Sequence, residues 1–337
     1  MKALVLPAVQ ATPEIREVPL PTPGPGEARV RLAASALNHR DVWIQQGKYP
    51  GIKVPITLGS DGVGVVEAVG SDSDSAWLGQ RVLLCPSVGW GDDPRHQAAS
   101  YEILGLPRDG TFAEAIALPV ENLVACPAHL DDAAAAALPL AGLTAWRALM
   151  TRAALRPGER VLITGIGGGT ALAALQIAVA AGAAVAVTSS DPAKIERAMA
   201  LGAAGGELYT AAGWSGRVRS RFAPRGFDVV IDSAGGEGFG ELPGLLAMGG
   251  RIAFFGGTRG KWPPILPQLL FYKQVSLLAT TMGSPAEFAA LVAFVAEHGV
   301  VPVVDACYPL EEGAAAFARL AAGAQFGKVV LKNQPAA

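Results

Sequence analysis

The sequence predicts an α/β protein with two parts, a β-rich domain and a doubly wound parallel sheet. Up to about residue 126, short apolar strands are separated by Pro-Gly clusters, which is typical of a β-rich, loop-heavy domain. From Asp131 onwards, strands alternate with Ala/Leu-rich helical stretches, and this alternation favours a parallel sheet covered by helices. A length of 337 residues agrees with two domains.

Composition excludes several classes of protein. Hydrophobic residues make up 51% of the chain and charged residues 17%, unlike a disordered protein. The net charge is −2 with Lys and Arg dispersed, so we expect no nucleic-acid surface. Cys85, Cys126 and Cys307 are odd in number and far apart, which predicts neither a disulfide framework nor a thiolate zinc cluster and indicates a reduced compartment.

The apolar run over residues 171–187 is long enough to suggest a membrane span. Gly182 and the change from Leu/Ala to Val-rich sequence instead predict a helix followed by a strand. We therefore expect no membrane association and a cytoplasmic location.

The first part contains three clear strands, and its second half is less regular. The strands are expected at Lys2–Leu6, Glu27–Leu32 and Gly62–Val69. Residues 85–110 read as a polar loop, and a loop of that length is often functional. Between Asp131 and Ala154, two helices are expected with a break at Leu138-Pro139.

The second part contains six predicted strands, as a doubly wound nucleotide-binding sheet requires. They are expected at Val161–Thr164, Ala184–Thr188, Glu207–Tyr209, Phe227–Asp232, Arg251–Phe255 and Ser276–Thr280. Beyond them the pattern predicts helices at Pro285–His298 and near Glu311–Ala322. A terminal strand, Gly327–Lys332, is expected to pair back into the first domain.

A glycine-rich turn after the first of these strands predicts dinucleotide binding. Gly165 suits a tight turn, and Gly167 would let the backbone approach a pyrophosphate at the start of the next helix. Thr170 stands at the third glycine position of the fingerprint, so the match is imperfect. The strand Ala184–Thr188 completes a βαβ unit of the expected length, which favours a dinucleotide site over a plain packing turn.

The end of the second strand favours NADP(H) over NAD(H). NAD-binding units place an acidic residue there to hold the ribose hydroxyls. Here Ser189 and Ser190 end the strand and Lys194 follows one turn into the helix, which suits a 2′-phosphate. Asp191 precedes Pro192, so we expect its carboxyl group to cap that helix.

Several motifs, in order along the chain, resemble the medium-chain dehydrogenase/reductase superfamily. The motifs are Asn38-His39-Arg40-Asp41, Gly47-Lys48-Tyr49-Pro50, Leu58–Val66, Gly142–Trp146 and Gly327–Leu331. The best match is the zinc-independent, NADPH-dependent branch that includes quinone oxidoreductases. The resemblance implies a GroES-like catalytic domain (1–126), a Rossmann NADP-binding domain (127–281) and a C-terminal segment (282–337) returning to the catalytic domain. It also implies a cleft between the domains and homodimers or homotetramers built by joining nucleotide-binding sheets edge to edge.

The resemblance also bears on metal. Zinc-dependent alcohol dehydrogenases supply a Cys at the position of Asn38, a His-Glu pair at Ser60-Asp61 and a third ligand near Leu140. Catalytic zinc needs three N, S or O ligands, and Asn, Ser and Leu do not form such a set. We therefore expect no metal, although the long loop after Cys85 is closer to zinc-type members than to compact quinone reductases.

The resemblance assigns cofactor roles to twelve residues. Gly165, Gly167, Gly168 and Gly169 would face the pyrophosphate, and Ser190, Lys194 and a helper, Ser189, would hold the 2′-phosphate. The remaining candidates are Tyr209 near the adenosine ribose phosphate, Phe255 and Gly256 beside the nicotinamide, and Thr144 and Lys328 as further contacts. Tyr209 could equally be a strand-end aromatic residue, and Lys328 a solvated charge on an end strand.

For the substrate, Asn38, Asp41 and Tyr49 match the cleft motif of the family. A phenol O–H can stabilise the negative charge that hydride transfer builds on an oxygen, or protonate a neighbouring carbon. Tyr49 is therefore the expected donor, with water as the alternative proton source and loop packing as the alternative role. For Asp41, we favour shaping the loop over direct catalysis.

The expected function is NADPH-dependent reduction of a small-molecule quinone or of a C=C bond activated by a carbonyl group. A zinc-type alcohol or carbonyl dehydrogenase is the enzymatic alternative. An NADPH-binding sensor or structural protein with little catalysis is the alternative from a different class.

Overall fold

The computed structural model describes residues 1–333 and divides them into two compact units. Unit 1 comprises Met1–Leu143 and the segment that begins at Gly283, and unit 2 comprises Thr144–Met282. Unit 1 contains the expected β-rich part and unit 2 the expected doubly wound parallel sheet. The first division falls after Leu143 rather than after residue 126, because the helix Asp132–Ala136 packs on strands of unit 1.

Unit 1 begins with eleven strands and three helices. The strands are β1 Lys2–Leu6, β2 Glu14–Glu17, β3 Glu27–Ala36, β4 Ile56–Thr57, β5 Asp61–Val69, β6 Arg81–Leu84, β7 Ser87–Val88, β8 Glu102–Leu104, β9 Pro107–Arg108, β10 Ala115–Pro119 and β11 Leu123–Ala125. The helices are α1 His39–Gln45, α2 Asp132–Ala136 and α3 Pro139–Trp146. The chain passes into unit 2 within α3, after Leu143, and the π-helical turn that follows, Arg147–Arg152, belongs to unit 2. The expected break at Leu138-Pro139 is confirmed.

The predicted loop at 85–110 contains β7, β8 and β9, which form a small separate sheet. Strands of two or three residues are too short to show an alternating pattern, and this is why the sequence reads as a loop there. Trp90 packs its ring edge-on against Tyr101, with 5.3 Å between the centroids. The small sheet also joins the main core, because Val88 and Leu104 pack in the same apolar cluster as side chains of β3, β5 and β6.

Unit 2 is a six-stranded parallel sheet with the strand order β14-β13-β12-β15-β16-β17. Its strands are β12 Arg160–Ile163, β13 Ala184–Ser189, β14 Gly205–Leu208, β15 Phe227–Asp232, β16 Leu246–Phe254 and β17 Ser276–Ala279. Its helices are α4 Gly169–Ala180, α5 Pro192–Ala200, α6 Trp214–Phe222, α7 Leu242–Leu245 and α8 Pro267–Phe271. The order reverses between β12 and β15, and ligands of doubly wound sheets bind at the carboxyl ends beside such a point.

Local signals explain where the helices of both units begin. The Asp191 carboxylate accepts a hydrogen bond from Ala193 N at 2.9 Å, and Pro192 opens α5, as the sequence predicted. Ser284 and Glu287 form a capping box at the start of the helix Pro285–His298, and Gly299, with φ of +63°, ends that helix.

The chain then returns to unit 1 through α9 Pro285–His298, β18 Val304–Pro309, α10 Gly313–Ala321 and β19 Lys328–Lys332. β19 pairs antiparallel with β3 and parallel with β18, so the expected return of the last strand is confirmed. Unit 1 thus gains the order β11-β6-β5-β3-β19-β18, with β10 also paired to β3. Over residues 1–333, every helix is too short or too polar to cross a lipid bilayer.

Candidate active site

Lys328, Asp61 and Asn38 form a buried triangle of hydrogen bonds in unit 1. Lys328 Nζ donates to Asn38 Oδ1 at 2.6 Å and to Asp61 Oδ2 at 2.8 Å. Asn38 Nδ2 donates to the same Asp61 oxygen at 2.9 Å. Lys328 is 5% exposed and Asp61 is fully buried. The alternative of a solvated end-strand charge for Lys328 is therefore wrong.

The Asp61 carboxylate joins several elements. Its Oδ1 accepts from the backbone N–H of Leu140 at 2.7 Å, at the start of α3. Thr111 Oγ1 donates to the Asp61 carbonyl, also at 2.7 Å. Asp61 thus fixes α1, through Asn38, and the first turn of α3 against β5 and β19. From the sequence, Ser60 and Asp61 were noted only because they replace zinc ligands of related enzymes. The role of Asp61 in joining these elements was not predicted.

Asp41 shapes the motif from within, as the sequence analysis favoured. Its Oδ2 accepts from Asn38 N at 2.7 Å, which caps the first turn of α1. Its Oδ1 is buried without a hydrogen-bond partner within residues 1–333. Burial raises the pKa of this carboxyl group to about 6, although the neighbouring Arg40 acts in the opposite direction.

Arg40, a residue of the Asn38–Asp41 motif, links Tyr49 to the 85–110 segment. Its guanidinium lies 5.1 Å from the centre of the Tyr49 ring. It also donates to Ser60 Oγ at 2.9 Å and to the Leu104 carbonyl at 2.8 Å. Tyr49 is half-buried against the core cluster of unit 1. A cation against the ring fixes the orientation of the phenol.

These residues do not fit a catalytic zinc ion. Within residues 1–333, no group of three His, Cys, Asp or Glu side chains could hold a metal. The Ser60 hydroxyl is bonded to Arg40 and to the Leu104 carbonyl, and Asp61 already neutralises an ammonium group. A second cation at Asp61 would be repelled by Lys328.

The glycine turn of unit 2 combines positive φ angles with the start of helix α4. Gly165 has φ of +64° and Gly167 has φ of +129°, values that favour glycine. A Cβ at Gly167 would lie 2.9 Å from Lys194 Cδ and 3.4 Å from its Nζ. Gly168 caps α4 and Gly169 is its first residue, so backbone N–H groups of the first turn face this point.

The end of β13 carries the residues predicted for the 2′-phosphate. Ser189 is buried, and its Oγ accepts from Asp191 N at 3.1 Å, whereas Ser190 is exposed. Lys194 is half-buried, and its side chain leans over Gly167. The structure thus brings the ammonium group next to the glycine turn, which a sequence spacing alone does not specify.

Asp232, which was not predicted from the sequence, holds the residue that precedes the glycine turn. Thr164 Oγ1 donates to its Oδ2 at 2.6 Å, and Gly235 N donates to its Oδ1 at 2.8 Å. Burial raises the pKa of this carboxyl group. Thr164 directly precedes Gly165, so Asp232 ties the ends of β12 and β15 together. The signal in the sequence was an acidic residue directly after the apolar residues of a predicted strand.

The other cofactor candidates fall in two places. Thr144 lies near Met282, with 3.8 Å between Oγ1 and Sδ, and Phe255 N donates to the Asp232 carbonyl at 3.0 Å. Gly256, with φ of +72°, follows in an exposed loop, and Tyr209 follows β14. These residues belong to unit 2, whereas Lys328 belongs to unit 1 and bonds to Asn38.

Two family models match the chain. Residues 24–128 match the model described as Alcohol dehydrogenase GroES-like domain, and residues 169–297 match the one described as Zinc-binding dehydrogenase. A zinc-type alcohol dehydrogenase-like protein of Leptosphaeria maculans is 35% identical over 95% of this chain and 94% of its own length. Acryloyl-coenzyme A reductase of Metallosphaera sedula is 31% identical over 98% of this chain and 99% of its own length.

Solved structures show the same likeness. A structure named as an NAD-dependent alcohol dehydrogenase is 38% identical, covers 98% of this chain and 99% of its own, and has a TM-score of 0.91. A mycobacterial quinone oxidoreductase is 27% identical over 98% of this chain and 99% of its own, with a TM-score of 0.81. The chain therefore belongs to the medium-chain dehydrogenase/reductase superfamily of oxidoreductases.

Proposed function

We propose that this oxidoreductase uses NADPH, without metal, to reduce a quinone or a C=C bond conjugated with a carbonyl group. The observation that carries the proposal is the end of β13, where Ser190 and the Lys194 ammonium occupy the region in which NAD-binding units place a carboxylate. The Asp191 carboxylate is bonded to the start of α5 instead. An ammonium group attracts a 2′-phosphate, which NADH lacks.

The residues of unit 2 fit a dinucleotide. The positive φ angles of Gly165 and Gly167 suit glycine, which adds no side chain of its own to the turn, and the first turn of α4 supplies N–H donors for a pyrophosphate. Asp232 holds that turn in place through Thr164. Bound there, NADPH would supply the hydride.

Unit 1 supplies the groups for the substrate. The Tyr49 hydroxyl would donate to the oxygen on which negative charge develops, or deliver the proton to the carbon that needs it. Arg40 holds the phenol ring, and the triangle of Lys328, Asp61 and Asn38 holds the beginning of α1, which carries Arg40. The Asn38 amide is hydrogen-bonded to Lys328 and Asp61, and we therefore assign Asn38 a supporting role in this site.

Acryloyl-coenzyme A reductase, by its name, reduces a C=C bond next to a carbonyl group. This relative supports the choice of substrate class. NADPH consumption across a panel of quinones, alkenals and enones, repeated with NADH, tests the proposal. Turnover with NADPH and at least one class is expected. Tight NADPH binding without any turnover would favour the binding-protein alternative.

Tyr49→Phe tests the proposed donor. We expect kcat to fall with little change in NADPH affinity, because the phenol O–H acts on the substrate; one general acid contributes about 10²–10⁴-fold. Stopped-flow turnover and a Kd titration of the same preparation measure both quantities. Unchanged kcat would make water the proton source.

A zinc-type alcohol dehydrogenase is the second candidate, because one matched family model and one relative carry zinc in their names and one solved structure is named as an alcohol dehydrogenase. Elemental analysis of the purified protein distinguishes the two. Stoichiometric, tightly bound zinc together with alcohol oxidation would support this second candidate and contradict a metal-free reductase.

A further inference from the structure

Arg259 extends from the loop between β16 and α8 of unit 2. The loop contains Gly256, with φ of +72°, and Gly260, with φ of +91°. Its far end is anchored by Trp262, whose ring stacks on Phe239 with 3.6 Å between the centroids and an interplanar angle of 5°. The loop is therefore anchored at Trp262, and a glycine with positive φ lies on each side of Arg259.

The backbone of Arg259 rests on the turn after β15. Arg259 N donates to the Ala234 carbonyl at 2.8 Å, and Gly236 N donates to the Gly260 carbonyl at 3.1 Å. A Cβ at Gly236 would lie 2.8 Å from Arg259 Cβ, and one at Gly235 would lie 3.1 Å from the Gly260 carbonyl oxygen. The two glycines thus make room for the loop to lie against this turn.

The guanidinium of Arg259 lies 4.8 Å from the centre of the Tyr209 ring. Tyr209 follows β14, and its N–H donates to the Ser189 carbonyl at 3.0 Å. In the sheet, β13 and β12 separate β14 from β15. The Arg259 side chain therefore starts beside the end of β15 and reaches the ring of Tyr209, which is bonded to the end of β13.

The cationic side chains of Lys194 and Arg259 come from different elements, and both lie near the carboxyl ends of the strands. Lys194 comes from α5 and leans over Gly167. Arg259 comes from the β16–α8 loop and packs on Tyr209. A guanidinium that rests one face on an aromatic ring still presents its N–H edges to an anion, in a fork that matches phosphate oxygens.

We infer that Arg259 is a specificity-determining residue that, together with Lys194, clamps the 2′-phosphate of NADPH. The inference rests on the proposed function, since it presumes that NADPH is the cofactor. It assigns Tyr209 the role of a platform for the guanidinium. The clamp would pair the doubly charged phosphate with one ammonium and one guanidinium group, and neither cation has a counterpart to bind in NADH.

The test measures Kd values of NADPH, NADH, 2′,5′-ADP and 5′-ADP by calorimetry for the full-length wild type, Arg259→Ala and Lys194→Ala. Each substitution is expected to raise the Kd of NADPH and 2′,5′-ADP by about tenfold, as the loss of one charge-assisted contact predicts. The Kd of NADH and 5′-ADP should stay unchanged. Arg225→Ala is the matched control, because this exposed arginine precedes the amino end of β15. It therefore lies at the opposite end of the strands from Lys194 and Arg259.

Variants of Tyr209 test the platform separately. Tyr209→Phe keeps the ring and should keep the Kd of 2′,5′-ADP, whereas Tyr209→Leu should raise it. Melting curves of all variants verify that unit 2 remains folded.

The outcomes separate the inference from the proposed function. A wild type that binds NADH at least as tightly as NADPH contradicts the proposed function and the inference with it. A wild type that prefers NADPH, with the same preference retained in Arg259→Ala, overturns the inference alone. Equal losses for NADPH and NADH in Arg259→Ala also overturn it, because they indicate contact with a group that both cofactors share.

Discussion

Lys328 carries its charge at a place from which the surrounding protein excludes water. Removing an ammonium and a carboxylate from water is expensive, and the cost is offset only if both are paired and hydrogen-bonded. Asp61 and Asn38 provide that pairing at 2.6–2.9 Å. A triangle of this kind fixes the three side chains in one arrangement. We therefore assign it a supporting role beneath the substrate site, without a part in proton or hydride transfer.

Asp41 is expected to make the stability of unit 1 depend on pH. Its pKa is raised to about 6 by burial, against the influence of Arg40 and Lys328, while Asp61 raises it further. Because the folded-state pKa lies above the unfolded one, the folded state binds the proton more tightly. The protonated Asp41 carboxyl group therefore makes its full contribution to the free energy of unfolding below the ordinary pKa of an aspartate. This contribution is lost as the pH rises through about 6.

Asp41→Asn should remove this dependence, since an amide does not ionise and can still accept from Asn38 N. We expect the Tm of the wild type to fall relative to that of the variant between about pH 4 and pH 7, by the equivalent of at most about 3 kcal/mol. Asp93→Asn is the control, because Arg95 holds the pKa of the Asp93 carboxyl well below its usual range. Thermal scans across this range measure the effect, and a constant Tm difference would refute it.

At the scale of elements, the contact of Thr164 with Asp232 connects β12 and β15 at their carboxyl ends, directly below the glycine turn. At the amino ends of the same strands, the Asp228 carboxylate accepts from Arg160 N at 2.7 Å. Asp228 and Asp232 thus make comparable links between the same pair of strands, one at the amino ends and one at the carboxyl ends.

This symmetry provides a matched experiment. Asp232→Ala should weaken binding of NADPH and NADH by the same factor, about fivefold for one lost hydrogen bond, because the turn serves both cofactors. Asp228→Ala should lower the Tm and leave both Kd values unchanged. Fluorescence titrations of the two variants measure this. A selective loss for NADPH in Asp232→Ala would mean that Asp232 acts on the 2′-phosphate.

Regular elements were predictable where the period of the sequence is long enough to read. The Pro285–His298 helix has an apolar stripe and clear ends, and the Asp191-Pro192 start of α5 follows from side-chain chemistry alone. β14 begins earlier than expected because two glycines, Gly205 and Gly206, open it and carry no side-chain pattern. The pairings of Lys328 with Asp61 and of Arg259 with Tyr209 join distant parts of the chain, and no local pattern encodes them.

At the scale of the whole molecule, the sheet of unit 2 ends in an exposed strand. Among the strands of residues 1–333, β17 pairs with β16 alone, and Leu277 is 37% exposed. Large apolar side chains near it in sequence are more exposed still, with Phe271 at 63% and Tyr272 at 75%. Bare edges of this kind favour pairing with another strand. We propose that two copies of the chain pair through β17, which forms the expected homodimer.

Leu277→Lys tests this assembly. A charge on the edge should shift the protein toward monomer, because it would be buried or repelled by its symmetry mate. Leu20→Lys alters a comparably exposed leucine in unit 1 and serves as the control. Light scattering after size-exclusion chromatography gives the masses. A wild-type monomer, or a dimer unaffected by the edge charge, would contradict the proposed assembly.

The most direct measurement for the whole protein is kcat/KM with NADPH and with NADH, after dialysis against EDTA, using a quinone or an enone that the enzyme turns over. Activity that survives dialysis and is about tenfold or more higher with NADPH is the expected result, as one charge-assisted phosphate contact predicts. A preference for NADH, or activity that returns only when zinc is added, would contradict the proposal of a metal-free NADPH-dependent reductase.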